Sequence, residues 1–413
     1  MPFTTKRRRI YAKTEAVVGT AETLALSDNV PRIRNARFRP ISLQVERNIV
    51  RTTFTPLPKL VPGQTMIELT FEAEMGGAIT NPKAVFDEPN WSKLISACGL
   101  KHANGKGLTI PASGAGSVVG GPFRHGETVT QATSAATGTV VGDTYLGQTS
   151  LFVRAITGTF NTTNVITGGT SAATCTPSGV TTNSLNSWRL NSDINTFDAL
   201  TMALQIDENP GKYLRLKGCR GTVNFQFTHG TPIIMEFTFQ GVLVSYTETA
   251  PTGTLQDSQL VPPTFFNTAF TLTDGTLVLD TATANKPTLS QMTLTLANAV
   301  SLRENSAGAP QGIDFAVVTS RSPTGSFNPD EVNASVYDFA ASFAQGTVNR
   351  MICIVGSSSG SRFEFRVPGI VYAGLTDSDR EEVYIIDASF EMTSGNYTLG
   401  GAGADNELVL LGT

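Results

Sequence analysis

The stretch "TMIELTFEAEM" leaves the backbone little choice. Ile67, Leu69, Phe71 and Ala73 alternate with Glu68, Thr70, Glu72 and Glu74. Period-two alternation of this kind puts all the apolar groups on one side only if the chain is extended, so a half-buried strand is predicted. The same rule runs through "TVNFQFTHGTPIIMEFTFQG". Val223, Phe225 and Phe227 alternate with polar residues, "HGTP" turns, and Met235, Phe237 and Phe239 alternate with Glu236, Thr238 and Gln240. Two such runs around a Gly-containing turn predict a β-hairpin. "ISLQVER" and "IIDASFEM" follow suit, the latter with Asp387, Ser389 and Glu391 on its polar side.

Only two segments break into helical period. In "EPNWSKLISACG", Trp91, Leu94, Ile95 and Cys98 fall at i, i+3, i+4 and i+7, which predicts an amphipathic helix of about three turns. Asn90 is the expected N-cap and Gly99 the expected stop. In "NASVYDFAASFAQG", Val336, Phe339, Ala340 and Phe343 repeat that spacing position for position. Each helix follows a strand pair and precedes a strand and a hairpin. The chain therefore reads as mainly β (α+β), with two related units in tandem, each carrying one flanking helix.

Residues 103–181 differ in texture. Large apolar groups thin out, and "TSAAT" occurs at Thr133–Thr137 and again at Thr170–Thr174. Windows of eighteen residues starting at Phe123 and Phe160 share eight identities. A small all-β module with an internal duplication, inserted in the first unit, is expected. The organisation is then a basic N-terminal arm (1–35), a first domain (36–102 plus 182–250), the insertion (103–181), a Pro-rich linker (251–285) and a second domain (286–413).

Chemistry is sparse. His102, His125 and His229 are the only histidines, and none has a partner at metal-ligand spacing. No nucleophile elbow or phosphate loop occurs, and "GSSSGS" at 356–361 reads as a hairpin connection. No enzyme activity, cofactor or metal is expected. Cys98, Cys175, Cys219 and Cys353 share no paired spacing, so they suit a reducing compartment. A net charge of −4 offers nucleic acid no general attraction, and no apolar run approaches a membrane span. The opening "MPFTTKRRRIYAK" lacks the apolar core of a signal peptide, so synthesis in the cytoplasm is expected.

In their order, "RRRIYAKTEAVVGT", "ISLQVER", "EPNWSKLISACG", "LKGCRGTVNFQFTHGTPIIMEFTFQG", "YDFAASFAQGT" and "FEFRVPGIVY" resemble the tail tube (major tail) proteins of long-tailed, non-contractile bacteriophages. The resemblance implies tandem β-sandwiches with flanking helices. It implies virion localisation in the tail, and rings of identical subunits stacked into a conduit for double-stranded DNA. It also implies contact with a tape measure protein and a tail terminator. Glu68, Thr70, Glu72, Glu74, Glu236, Thr238, Gln240, Asp387, Ser389 and Glu391 become candidates for an acidic lumen wall. Trp91, Leu94, Ile95, Val336, Phe339 and Phe343 become the core faces of the two helices.

Ring size follows from sheet geometry. Four long strands per domain and six domains make roughly 24 strands. At about 4.8 Å spacing and a tilt near 40°, they enclose a backbone diameter of about 48 Å. That bore clears a duplex roughly 20 Å across. With two domains per chain, a homotrimeric ring with pseudo-sixfold symmetry is expected, and a homohexamer is the alternative. The arm and the loop 54–65 are candidate clasps between rings. Rival expectations are a baseplate or decoration protein, or a β-modular surface adhesin.

Overall fold

The computed structural model describes residues 8–42, 65–77, 88–144, 149–180, 185–193, 196–207, 211–247, 251–255, 261–266, 268–273, 287–305, 312–357, 360–394 and 405–412. Within them the chain is mainly β, with two α-helices. The first stretch contains β1 (Arg8–Thr14), β2 (Asn29–Val30), β3 (Ile33–Ser42) and β4 (Thr65–Glu74), followed by α1 (Ser92–Ala97). The strand β5 (Leu100–Thr109) leads into the insertion: β6 (Thr128–Gln131), β7 (Ala136–Val140), β8 (Ser150–Thr157), β9 (Ile166–Gly168), β10 (Thr174–Cys175) and β11 (Gly179–Val180). The chain returns through β12 (Leu185–Leu190), β13 (Leu200–Ile206), β14 (Lys212–Thr228) and β15 (Ile234–Thr247).

The second stretch has β16 (Ala269–Thr273), β17 (Leu289–Thr295), the hairpin β18 (Asn298–Glu304) and β19 (Ile313–Arg321), and β20 (Thr324–Pro329). It ends with α2 (Phe339–Gln345), β21 (Asn349–Val355), β22 (Phe363–Arg380), β23 (Val383–Thr393) and β24 (Val409–Gly412).

One strand order occurs twice. The first repeat pairs as β1–β13–β14–β15–β4–β3, antiparallel throughout. The second pairs as β16–β21–β22–β23–β20–β17. Numbered along the chain within each repeat, both read 1-4-5-6-3-2, with the helix between strands 3 and 4. Even a β-bulge recurs: the register slips between Leu200 and Met202 in one repeat and between Asn349 and Met351 in the other.

The repeats fuse edge to edge. β14 is long enough to hold β13 along its first half and β17 along its second, Asn224 standing opposite Thr295 and Thr228 opposite Gln291. Behind this joint Phe225 and Phe227 meet Phe365 of β22, at 5.4 and 4.9 Å between ring centres. One apolar core thus runs through both repeats, as does β24, which ties β22 to β12. Burying aromatic rings across the joint, at about 25 cal/mol per Å², makes separate opening of the repeats costly.

The insertion has its own core, including Leu108, Phe123, Val129, Leu151, Phe160 and Ile166. Its duplication is visible in the backbone. β6 and β9, equivalent in the two sequence copies, pair antiparallel about Thr130 and Thr167. Each "TSAAT" is a turn whose first alanine is left-handed, Ala135 at φ 53° and Ala172 at φ 56°, while the second alanine is buried. Serine fixes each turn: the Ala136 N–H donates to Ser134 Oγ and the Ala173 N–H to Ser171 Oγ.

Several expectations need correction. From residue 8 onward the N-terminal segment is not a free arm. Ile10, Tyr11 and Ala12 are fully buried in β1, which packs on both faces and so shows no alternation. The boundary at residue 36 falls inside β3, and the boundary at 102 inside β5. β5 pairs with β12 in the main body and continues into the insertion against β8. The linker 251–285 contains β16, the first strand of the second repeat. The clasp loop 54–65 lies outside the described residues, apart from Thr65 at the start of β4.

The helices are shorter than their periodicity suggests. α1 has six residues, with Trp91 rather than Asn90 at its N-cap; Asn90 instead donates to the Asn29 carbonyl. Gly99, at φ +96°, ends it as expected. In α2, Asp338 caps the start by accepting from the Ala341 N–H, and Gly346 closes it in the left-handed conformation. Trp91, Leu94, Ile95 and Phe339 are core. Val336 and Phe343 are not: they are 60% and 44% exposed. Val336 precedes the helix, and Phe343 lies on a face that no described residue fully covers.

Candidate assembly surface

Eight strands, four from each repeat, form one continuous sheet: β3–β4–β15–β14–β17–β20–β23–β22. Alternation gives it a dry side and a wet side. Leu69, Phe71, Phe237, Phe225, Leu294, Phe327, Phe390 and Tyr372 all face the core. All ten polar candidates lie together on the opposite side.

Register makes the polar side a set of cross-strand rows. One row runs from Arg34 through Glu72, Glu236, Asn224, Thr295, Thr324 and Glu391 to Val371, crossing every strand. Gln240 and Glu68 lie in a row ending at Arg39, and Thr238 and Thr70 in a row ending at Arg37. Side chains bond along and between rows. Asn224 Nδ2 and Gln226 Nε2 both donate to Glu236 Oε2, at 3.3 and 2.8 Å. Thr295 Oγ1 donates to Asn224 Oδ1 at 2.8 Å, and the Thr293 and Ser326 hydroxyls are 2.8 Å apart.

The polar face is not simply acidic. β3 and the residue before it supply arginines that neutralise β4: Arg39 Nη2 lies 3.1 Å from Glu68, Arg34 Nη2 3.4 Å from Glu74, and Arg32 Nη1 3.7 Å from Glu74. Arg34 Nε also lies 3.8 Å from Glu72, which accepts from Asn35 Nδ2. Sequence reading missed these arginines because a bulge between Arg34 and Arg37, with Asn35 at φ 54°, breaks the period that would have revealed a strand. The hydroxyl and amide members of the rows were missed for another reason: Thr and Asn carry no functional signal until register sets them beside a carboxylate.

Both edges of this sheet are open among the described residues. β3 pairs only with β4, and β22 beyond Ile370 pairs only with β23. The edges also differ in charge. β3 carries Arg34, Arg37 and Arg39, whereas the open part of β22 carries Asp377, Asp379 and Arg380.

Elsewhere the chain buries thiols and a histidine. Cys98, Cys175, Cys219 and Cys353 are all buried free thiols, and burial raises the pKa of each, that of Cys175 to about 12, so none is an activated nucleophile. His125 in the insertion is fully buried, accepts the Gly142 N–H at Nδ1, and is pushed down to about 3 mainly by burial. His229 sits in the turn between β14 and β15. Among the described residues no cluster of His, Cys, Asp or Glu could hold a metal, and no helix is long and apolar enough to cross a membrane.

No protein-family model matches the chain, and no curated protein matches it.

Proposed function

We propose that this chain is the subunit of a hollow tube, a tail tube protein of the kind that long-tailed, non-contractile phages use to conduct DNA. The observation that carries this reading is the eight-stranded sheet with one mainly polar face and, among the described residues, two open edges. Exposed edges ordinarily invite uncontrolled pairing. A long, twisted, two-edged sheet with a solvated face is instead suited to closing with copies of itself. Each chain brings eight strands, so three chains make the 24 that enclose a backbone diameter of about 48 Å, wide enough for duplex DNA.

The polar face then lines the bore, where Glu68, Glu72 and Glu74 meet the arginines of β3 and Glu236 is held by amides. Free cations would bind phosphates by releasing counterions and so retain the DNA. Arg34 and Arg39, already committed to carboxylates and flanked by Thr, Ser, Asn and Gln, give a wall that wets with little grip. In this reading the chain is made in the host cytoplasm and ends in the virion tail. Its partners are copies of itself, with a tape measure protein inside the bore and a terminator at the end.

Negative-stain microscopy of the purified chain, concentrated stepwise, tests the reading. Hollow filaments of even width with three-fold rings are expected. A monodisperse monomer at every concentration, as a decoration protein or adhesin would give, refutes it.

A further inference from the structure

Segments far apart in sequence meet around one small cavity. Gly142 and Asp143 come from the insertion just after β7, Arg350 from β21, Arg366 from β22, and Asn406 from the stretch before β24. The space is about 10 Å³, room for a single water or an ion of similar size.

Alternation explains why arginines collect there. Met351 and Val367 stand opposite each other with their side chains in the main core, so Arg350 and Arg366 leave the same two strands by the other face. The insertion lies over Arg366, whose guanidinium is 4.8 Å from the Phe152 ring. Arg350 and Arg366 are only 9% and 7% exposed. Gly142, at φ 73°, lets the backbone come close: a Cβ there would meet Arg366 Cδ at 3.2 Å.

Asn406 is 1% exposed, and neither Oδ1 nor Nδ2 of its amide has a hydrogen-bond partner. A buried amide without partners is costly, and folded chains satisfy it from the protein or from a bound species. The carboxylates close by in the chain are already used. Arg321 holds both Asp405 and Glu407, at 2.6 and 3.2 Å, and Glu364 pairs with Arg366. Asp143 accepts the His125 N–H at 2.8 Å through Oδ1, and its carbonyl accepts from Arg366. Those bonds to Glu364 and Asp143 occupy two of the five N–H groups of the Arg366 guanidinium. The lining thus offers N–H donors and positive charge.

We propose that this cavity binds one small monovalent anion, of chloride's size, which fastens the insertion to the second repeat and to the C-terminal segment. A cation is repelled by the two guanidinium groups, and a polyatomic anion exceeds the space. Water answers the amide alone, whereas an anion also takes charge-assisted bonds from Arg350 and Arg366. The site is independent of the tube reading.

Hydrogen exchange at 141–144 and 406–412, in chloride against gluconate at equal ionic strength, tests the site, because gluconate is too large to enter. Exchange is expected to slow roughly ten-fold once chloride stands at about ten times its Kd. Equal rates in the two salts at every concentration overturn the inference. Asn406→Leu replaces the unpartnered amide with an apolar group of similar size. It is expected to exchange as wild type in gluconate and to lose the chloride effect, and a chloride response that survives in it overturns the inference. Crystals of the unmodified chain soaked in bromide give a reading that needs no variant. An anomalous peak between Arg350, Arg366 and Asn406 is expected. A water in its place, or a peak without any slowing of exchange (an adventitious ion only), overturns the inference.

Discussion

The first and second repeats share strand order, bulge and helix position, yet they solve burial differently. The first closes its core with residues of its own chain, so Trp91, Leu94, Ile95 and Cys98 are all hidden. The second stops with half of the same helical pattern in water. The same local periodicity therefore describes two physically different objects, an interior helix and a surface helix. What separates them is that Trp188 and Phe363 close over α1, whereas Val336 and Phe343 stay exposed among the described residues. Burial belongs to the neighbourhood and not to the segment.

Paired substitutions at equivalent helix positions are the sharpest way to break this comparison. Trp91→Ala should cost about 3–5 kcal/mol, since it empties the space between Trp188 and Phe363 and leaves the Gly76 carbonyl without its indole donor. Val336→Ala should cost under about 0.5 kcal/mol in the monomer. Chemical denaturation of the two variants measures both, and equal losses would mean that the repeats are buried alike.

A second test concerns the insertion, which is folded on its own core but fastened to the body. Arg366 is its latch. The guanidinium lies 4.8 Å from the Phe152 ring, donates to the Asp143 carbonyl, and pairs with Glu364 at 2.5 Å. Arg366→Met leaves Glu364 buried without its partner and should destabilise the chain by about 3 kcal/mol. Hydrogen exchange should rise first at 141–144 and 409–412. Protection there equal to wild type would show that the apolar contact of Val141 and Phe152 with Val409 and Leu411 suffices.

A third test is acidification. The folded-state pKa of His125, about 3, lies below the ordinary value of 6.5, so the folded chain binds fewer protons than the unfolded one. The stability that goes with neutral His125 is present above pH 6.5 and is lost as pH falls toward 3, at up to about 1.4 kcal/mol per unit. Exchange in the insertion should therefore quicken before Trp91 and Trp188 change their fluorescence, since both indoles sit in the main core. His125→Asn should flatten that pH dependence. Simultaneous loss of both signals would make insertion and body one cooperative unit.

Much of this was legible in the residues. Alternation in 65–75, 223–227 and 235–239 named strands and their dry faces, because a side-chain period of two survives in any context that buries one face. The doubled "TSAAT" likewise foretold a folded duplication. Strands buried on both faces, such as β1, and strands interrupted by a bulge, such as β3, left no period to read. Tertiary structure alone decided that the polar faces of both repeats join in one sheet, that arginines balance its glutamates, and that one of two matching helices stays uncovered. Those outcomes depend on register and on which surfaces meet, and long-range pairing between residues such as Asn224 and Thr295 has no trace in local sequence.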